Sequence, residues 1–191
     1  MDKCKRCSTN VNNVNMNRDI LLYTILRDTF ELNGFDHHHL VSDLSRRRPS
    51  GVSIYIKHHL KLLVGSVEMF PNQDLGIYLL VANFKTKVRA AVLYAKPGSS
   101  NDDIIDAIDE SLDSKNRDYK IVLAGDFNTD MDTEHGREFC KILYEIYYMT
   151  LRNNIARYTT RGRTSIDAVF STHSIRACGL YAGPDLDEKR P

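Results

Sequence analysis

Apolar positions along this chain fall into short bounded runs, and their spacing changes from strand-like to helix-like and back. Gly51-Val-Ser-Ile-Tyr-Ile-Lys57 alternates apolar and polar positions over most of its length, after an Arg-Arg-Arg-Pro turn. That period of two predicts a half-buried strand. Residues 60–69 and 76–84 are further strand candidates, separated by Pro71-Asn72-Gln73-Asp74, and residues 88–94 follow closely. Consecutive strands with short connections predict an antiparallel meander. Pro97-Gly98 stops the run, Ser100 or Asn101 is placed to cap a helix, and Ile104, Ile105, Ile108 and Leu112 share one helical face. Ile121, Val122 and Leu123 then form an apolar run with β-branched members, bounded by Gly125, which predicts a buried strand ending in a turn. A second helix is predicted from Asp132 or Thr133 to about Met149, with Phe139, Ile142, Leu143, Ile146 and Tyr147 as its buried stripe. Two short strands, near 165–170 and 175–181, finish the chain.

The first part of the chain is less decisive. Residues 19–30 contain Ile20, Leu21, Leu22, Tyr23, Ile25 and Leu26, which fits a buried strand or the start of a helix, and periodicity does not choose between them. Residues 1–18 are polar, Asn-rich and aperiodic, and are expected to be a disordered N-terminal segment ahead of one domain spanning 19–191. Strands and helices mix without strict βαβ alternation, which predicts an α/β (α+β) fold with helices packed on sheets of mixed direction.

Composition narrows the class. The chain has 191 residues, of which 42% are hydrophobic, enough for one full core. No apolar run approaches the roughly 20 residues that span a bilayer, so no membrane partner is expected. The basic start, Met-Asp-Lys-Cys-Lys-Arg-Cys, lacks the apolar centre of a signal peptide. An intracellular location, the nucleus included, is the expectation. Cys4 and Cys7 form a lone CxxC with no second pair at zinc-ribbon spacing, so reduced thiols are expected. A net charge of +1 excludes a globally basic nucleic-acid binder. The local concentrations Arg46-Arg47-Arg48 and Arg157, Arg161 and Arg163 could still meet phosphates if they flank a site.

Candidate chemistry begins where the buried run at 121–123 stops. In Gly-Asp-Phe-Asn at 125–128, an extended backbone would turn Asp126 and Asn128 to one side and Phe127 into the core. A carboxylate can take a proton from water, and a neutral amide can bond a phosphate oxygen or orient that carboxylate without repelling the anion. The same tetrapeptide is also ordinary turn chemistry. Asp167 interrupts a strand pattern formed by Ile166, Val169 and Phe170, so its carboxylate must face a polar site or find partners. His37-His38-His39 and His58-His59 are read as loop or surface residues, because adjacent histidines point in different directions and no carboxylate follows at helical spacing.

Gly-Asp-Phe-Asn at 125–128, followed downstream by Ser-Ile-Asp-Ala-Val-Phe at 165–170, resembles the endonuclease/exonuclease/phosphatase family. That family includes deoxyribonuclease I, the apurinic/apyrimidinic endonucleases and the endonuclease domains of LINE-type retrotransposons. The mobile-element branch is the most similar: Gly-Val-Ser-Ile-Tyr at 51–55 resembles its Gly-Val-x-Ile-Tyr strand, and Val-Leu-Tyr-Ala-Lys-Pro at 92–97 resembles its Val-Tyr-x-x-Pro strand. The resemblance implies a four-layered sandwich of two mixed β-sheets packed face to face between helices. It also implies a Mg²⁺ or Mn²⁺ site at one edge, DNA as partner, and phosphodiester hydrolysis as the activity. By position, Asp126 would be the base for the attacking water, Asn128 would hold the scissile phosphate and Tyr94 would donate to it. Thr159 or Thr160 would touch the DNA backbone, and Asp167 would support the hydrogen-bond network.

The chain departs from the family in three places. The family's first strand, with its early Asn, has no counterpart in the hydropathy pattern. Its metal-binding Glu precedes Thr or Ser after an apolar strand, and the nearest match is Asp28-Thr29. At the C-terminus, where the family carries Ser-Asp-His, this chain has Asp187-Glu188-Lys189-Arg190-Pro191, so Glu188 and Lys189 replace the Asp-His pair. Lysine supplies positive charge but not the proton chemistry of an imidazole. Two alternatives to an endonuclease therefore stand: a non-catalytic domain that keeps the fold and a nucleic-acid surface, and a phosphatase acting on small phosphoesters.

Overall fold

The computed structural model describes residues 13–16, 20–25, 32–41, 51–112, 118–152, 164–174 and 180–181. In chain order the strands are β1 (Asn13–Met16), β2 (Ile20–Ile25), β3 (Phe35–Val41), β4 (Gly51–Lys57), β5 (Val64–Asn72), β6 (Ile77–Phe84) and β7 (Val88–Ala95). Helix α1 (Asn101–Leu112), β8 (Lys120–Asp126), helix α2 (Glu134–Tyr147), β9 (Thr150–Leu151), β10 (Asp167–Ser171) and β11 (Leu180–Tyr181) complete the fold. They build two sheets, one in the order β11-β1-β2-β4-β3 and one in the order β5-β6-β7-β8-β10-β9.

β5, β6 and β7 form the expected antiparallel meander. β7 and β8 are parallel, which requires a crossover longer than a hairpin, and α1 is that crossover. Its start is a reciprocal cap: the Asp103 N–H donates to Ser100 Oγ at 3.1 Å and the Ser100 hydroxyl donates to Asp103 Oδ2 at 2.6 Å. α2 begins at Thr133, whose side chain accepts from Gly136 N. It ends at Tyr148, which has left-handed backbone (φ 57°).

Alternation along the central strands creates two cores. Val52, Ile54 and Ile56 of β4 meet Leu80, Ala82, Val92, Val122, Ala124 and Val169 between the sheets. The opposite face of the six-stranded sheet, with Leu79, Leu93, Leu123 and Phe170, receives Ile104, Ile108 and Leu112 of α1 and Phe139, Leu143 and Tyr147 of α2. The layered sandwich follows directly: helices, six-stranded sheet, five-stranded sheet. Both α-helices among the described residues lie on the six-stranded side. No helix among the described residues is long and apolar enough to cross a membrane.

Several expectations require correction. Asn13–Met16, placed in a disordered segment by its polarity, is a strand paired with both β2 and β11. Backbone pairing does not require apolar side chains, which is why the hydropathy pattern missed it. The ambiguous run at 20–25 is a strand. The His-rich segment is not a loop but β3, paired along its length with β4. Residues 58–63 form a short 3-10 helix, and β5 starts only at Val64 and runs through Pro71. Proline lacks an N–H, and β5 tolerates it because it is the sheet's edge. Ile146, assigned to the buried stripe of the second helix, is exposed.

Candidate active site

The site is assembled by strand register. Tyr94 of β7 pairs with Asp126 of β8, and Asp126 pairs with Asp167 of β10. Residues in register on neighbouring strands present side chains to the same face. Two positions earlier on β7 and β8, and two later on the antiparallel β10, Val92, Ala124 and Val169 lie in the core between the sheets. Tyr94, Asp126 and Asp167 therefore form a polar row where that apolar face runs out. Tyr94 packs against the same core and its ring lies 6.3 Å from that of Tyr78.

Close approach of β7 and β8 makes the row possible. A Cβ on Gly125 would stand 1.9 Å from the Leu93 carbonyl oxygen, so any side chain would push apart the strands that carry Tyr94 and Asp126. After Asp126 the strand ends. Phe127 enters the helix-side core, in edge contact with Phe170 at 5.4 Å. Asn128 takes left-handed backbone, φ 49°, and its N–H donates to Asp126 Oδ1 at 3.1 Å. The extended geometry expected for 126–128 is thus replaced by an Asx turn, which joins the Asp126 side chain to the Asn128 backbone. The Asn128 Nδ2 donates to the Ala95 carbonyl at 2.6 Å, tying this turn to the end of β7.

Asp126 is the electrostatic centre. Burial, first, and the neighbouring negative charge of Asp167, second, push its carboxyl up to about 7, against the opposing hydrogen bond from the Asn128 N–H. A carboxylate titrating near neutrality is suited to accept a proton from water. Asp167 itself is 2% exposed. Two adjacent carboxylates are the hard oxygen donors that Mg²⁺ prefers, and their mutual repulsion is what a divalent cation would relieve. Among the described residues no three His, Cys, Asp or Glu side chains gather to hold a metal.

Of the residues singled out from sequence, Tyr94, Asp126, Asn128 and Asp167 come together. Asp28, Thr159, Thr160, Arg157, Arg161, Arg163, Glu188 and Lys189 lie outside the described residues, as do Arg46–Arg48 and Cys4 and Cys7.

Sequence reasoning missed the brace behind the pair. Asp130 Oδ1 accepts from the Ser165 N–H at 3.0 Å and the Asp132 N–H at 3.2 Å. The Phe127 and Met131 N–H groups donate to the carbonyls of Ile166 and Ser165. Buried Thr129 donates to Asn101 Oδ1 at 2.9 Å. The Asp130, Phe127 and Met131 bonds clamp the loop after β8 onto the segment that leads into β10, and so hold Asp167 beside Asp126, while the Thr129 bond ties the same loop to α1. The only local signal was the Asn-Thr-Asp-Met-Asp-Thr run, whose short polar side chains favour turns.

Comparison with known proteins gives the same architecture. A family model described as "Endonuclease/Exonuclease/phosphatase family" matches residues 10–189. Among solved structures, the human Nocturnin catalytic domain with bound sulfate anion is similar, with a TM-score of 0.54 and 10% sequence identity. That match covers 81% of this chain and 69% of the other. No curated protein sequence matches.

Proposed function

Because the chain belongs to the endonuclease/exonuclease/phosphatase family, whose members hydrolyse phosphoester bonds, we propose that it is a metal-dependent phosphodiesterase, a DNA endonuclease of the mobile-element type. The observation that carries this reading is the register row of Tyr94, Asp126 and Asp167, with Asn128 bonded to Asp126. The row supplies a base, a hydroxyl donor and a second carboxylate at one edge of the sandwich.

In this reading Asp126 removes a proton from the attacking water, and the Asn128 N–H holds the carboxylate oxygen that does not receive it. The Tyr94 hydroxyl, on the strand beside Asp126, donates to a phosphate oxygen as charge gathers there. Asp167 keeps Asp126 basic enough to act near neutral pH, by adding negative charge beside it. Asp28 and Glu188 would hold Mg²⁺ or Mn²⁺, which when bound neutralises the phosphate oxygens. Lys189 adds positive charge where the family carries an imidazole. Thr159, Thr160, Arg157, Arg161 and Arg163 precede Asp167 in sequence and are proposed to grip the DNA backbone through its phosphates.

The choice of DNA rests on the strand motifs at 51–55 and 92–97, which resemble those of reverse transcriptase-associated endonucleases. A supercoiled plasmid incubated with the protein and Mg²⁺ or Mn²⁺ tests it directly. Nicking by the wild type and none by Asp126→Ala is expected. A folded protein that leaves plasmid intact under both metals overturns the endonuclease reading. Hydrolysis of a small phosphomonoester under those same conditions would instead identify a phosphatase.

A further inference from the structure

The histidines of β3 are not used by the carboxylate site, and the fold arranges them in a way the sequence did not disclose. His37 and His39 stand two apart on one strand, so they share a face, whereas the intervening His38 points to the other. Opposite them on β4, His37 pairs with Tyr55 and His39 with Ser53. Val52, Ile54 and Ile56 of β4 fill the core between the sheets, so Ser53, Tyr55, His37 and His39 occupy the outer face of the five-stranded sheet. This is the face turned away from the six-stranded sheet.

Two imidazoles converge there on one oxygen. His39 Nδ1 is 2.5 Å and His37 Nε2 is 3.4 Å from Ser53 Oγ. The His37 ring is stacked on Tyr55, 4.5 Å between centroids and 5° between planes, which sets the direction of its nitrogen. Ser53 and Tyr55 are fully buried, while both histidines are half-buried and keep a path to solvent.

We propose that His37 and His39, with the Ser53 hydroxyl, form a binding site for a divalent transition-metal ion of the Zn²⁺ class. Imidazole nitrogen selects Zn²⁺, Ni²⁺ or Cu²⁺ over Mg²⁺, which prefers oxygen. The ring spacing supports a shared ion. Two imidazoles bonded at about 2.0–2.1 Å to one tetrahedral ion have centroids roughly 5 Å apart, and those of His37 and His39 are 5.5 Å apart. Ser53 Oγ is within reach of both nitrogens, so a modest rotation makes it a third ligand or gives its place to water. An ion here would join His37 and His39, two apart on β3, over the β4 ladder at the edge of the sheet. Its effect would be to secure that edge rather than to act on substrate.

Zn²⁺ titration of the full chain, followed by calorimetry and by the histidine ring resonances, tests the site. The His37 and His39 signals should move together and saturate, while those of His135 and His173 stay fixed. Mg²⁺ should move none of them. Binding should weaken by roughly tenfold or more in the His39→Asn and His37→Asn variants. It should persist in Asp126→Asn, which separates it from the carboxylate site. His37 and His39 resonances that ignore Zn²⁺ in the wild type would overturn the proposal, whether or not the variants fold. So would a folded double variant that binds Zn²⁺ as tightly as the wild type.

Discussion

The end of β8 and the middle of β3 each gather two like titratable groups, and burial acts on them in opposite senses. At β8 burial and the second carboxylate, Asp167, together raise Asp126 to about 7. At β3 burial lowers His39, and the second imidazole, His37, lowers it further. Desolvation disfavours whichever form carries charge, so it keeps a carboxyl protonated and an imidazole neutral. What differs is the form that burial penalises: at β8 it is the carboxylate, at β3 the imidazolium. Location sharpens the difference: the acids sit where strands end and loops begin, the imidazoles inside a continuous ladder.

The comparison breaks most easily at Asp126. Asp126→Ala should lower plasmid nicking by roughly 10²–10⁴-fold with the circular dichroism spectrum unchanged, and a smaller loss would remove it from the role of base. Next in size is packing behind the site. Phe127→Ala, which empties a fully buried position between Phe139 and Phe170, should cost about 3–5 kcal/mol in urea denaturation.

The pH dependence of stability has a definite sign. The Asp126 carboxyl is raised in the folded chain from 3.8 to about 7, so the folded state holds its proton more tightly than the unfolded state does. Stability from this group is complete below about pH 4 and is lost as pH rises through about 7. Metal-free protein should therefore melt lower at pH 8 than at pH 5.5, after other groups are accounted for by the Asp126→Asn variant. That variant should flatten the profile and gain roughly 2–4 kcal/mol at pH 8. Mg²⁺ should restore part of the wild-type loss at pH 8 and leave Asp126→Asn much less affected. A profile that is the same in both proteins would show that the pair at β8 carries no such strain.

Smaller effects probe the brace. Asp130→Ala removes an acceptor for two backbone N–H groups and should cost about 1–3 kcal/mol. It should also reduce nicking, because the segment leading to Asp167 loses its tether. Thr133→Ala, which removes the cap of α2, should cost about 1 kcal/mol with little change in nicking. If both variants alter nicking equally, the link from Asp130 to Asp167 is not specific.

Much of the architecture could be read in the chain because each element there carries its own local reason. β4 spans the predicted residues, although it is buried on both faces rather than half-buried. α1 spans its predicted face, because Ser100 and the isoleucines act within a few residues of one another. The helix beginning at Thr133 and the strand ending at Asp126 were legible for the same reason. Pairing was different. Asn13–Met16 has no hydrophobic rhythm, and only its neighbours β2 and β11 make it a strand. Pro71 looked like a breaker until the edge position of β5 left its missing N–H without consequence.

The site divides along the same line. The candidates Asp126, Asn128 and Asp167 stood out in sequence because acids and amides interrupt runs that are otherwise apolar, and Tyr94 entered only through the resemblance of residues 92–97 to a family strand. Their adjacency did not, because β7, β8 and β10 are brought into one row by backbone register across long separations. His37 and His39 looked like part of a run of three until β4 placed Ser53 within reach of both their nitrogens. Local propensity acts over a few bonds and is written in the chain, while register and face are decided by which strand lies next to which. Burial then sets the charge of each group, and burial exists only once the sheets have packed.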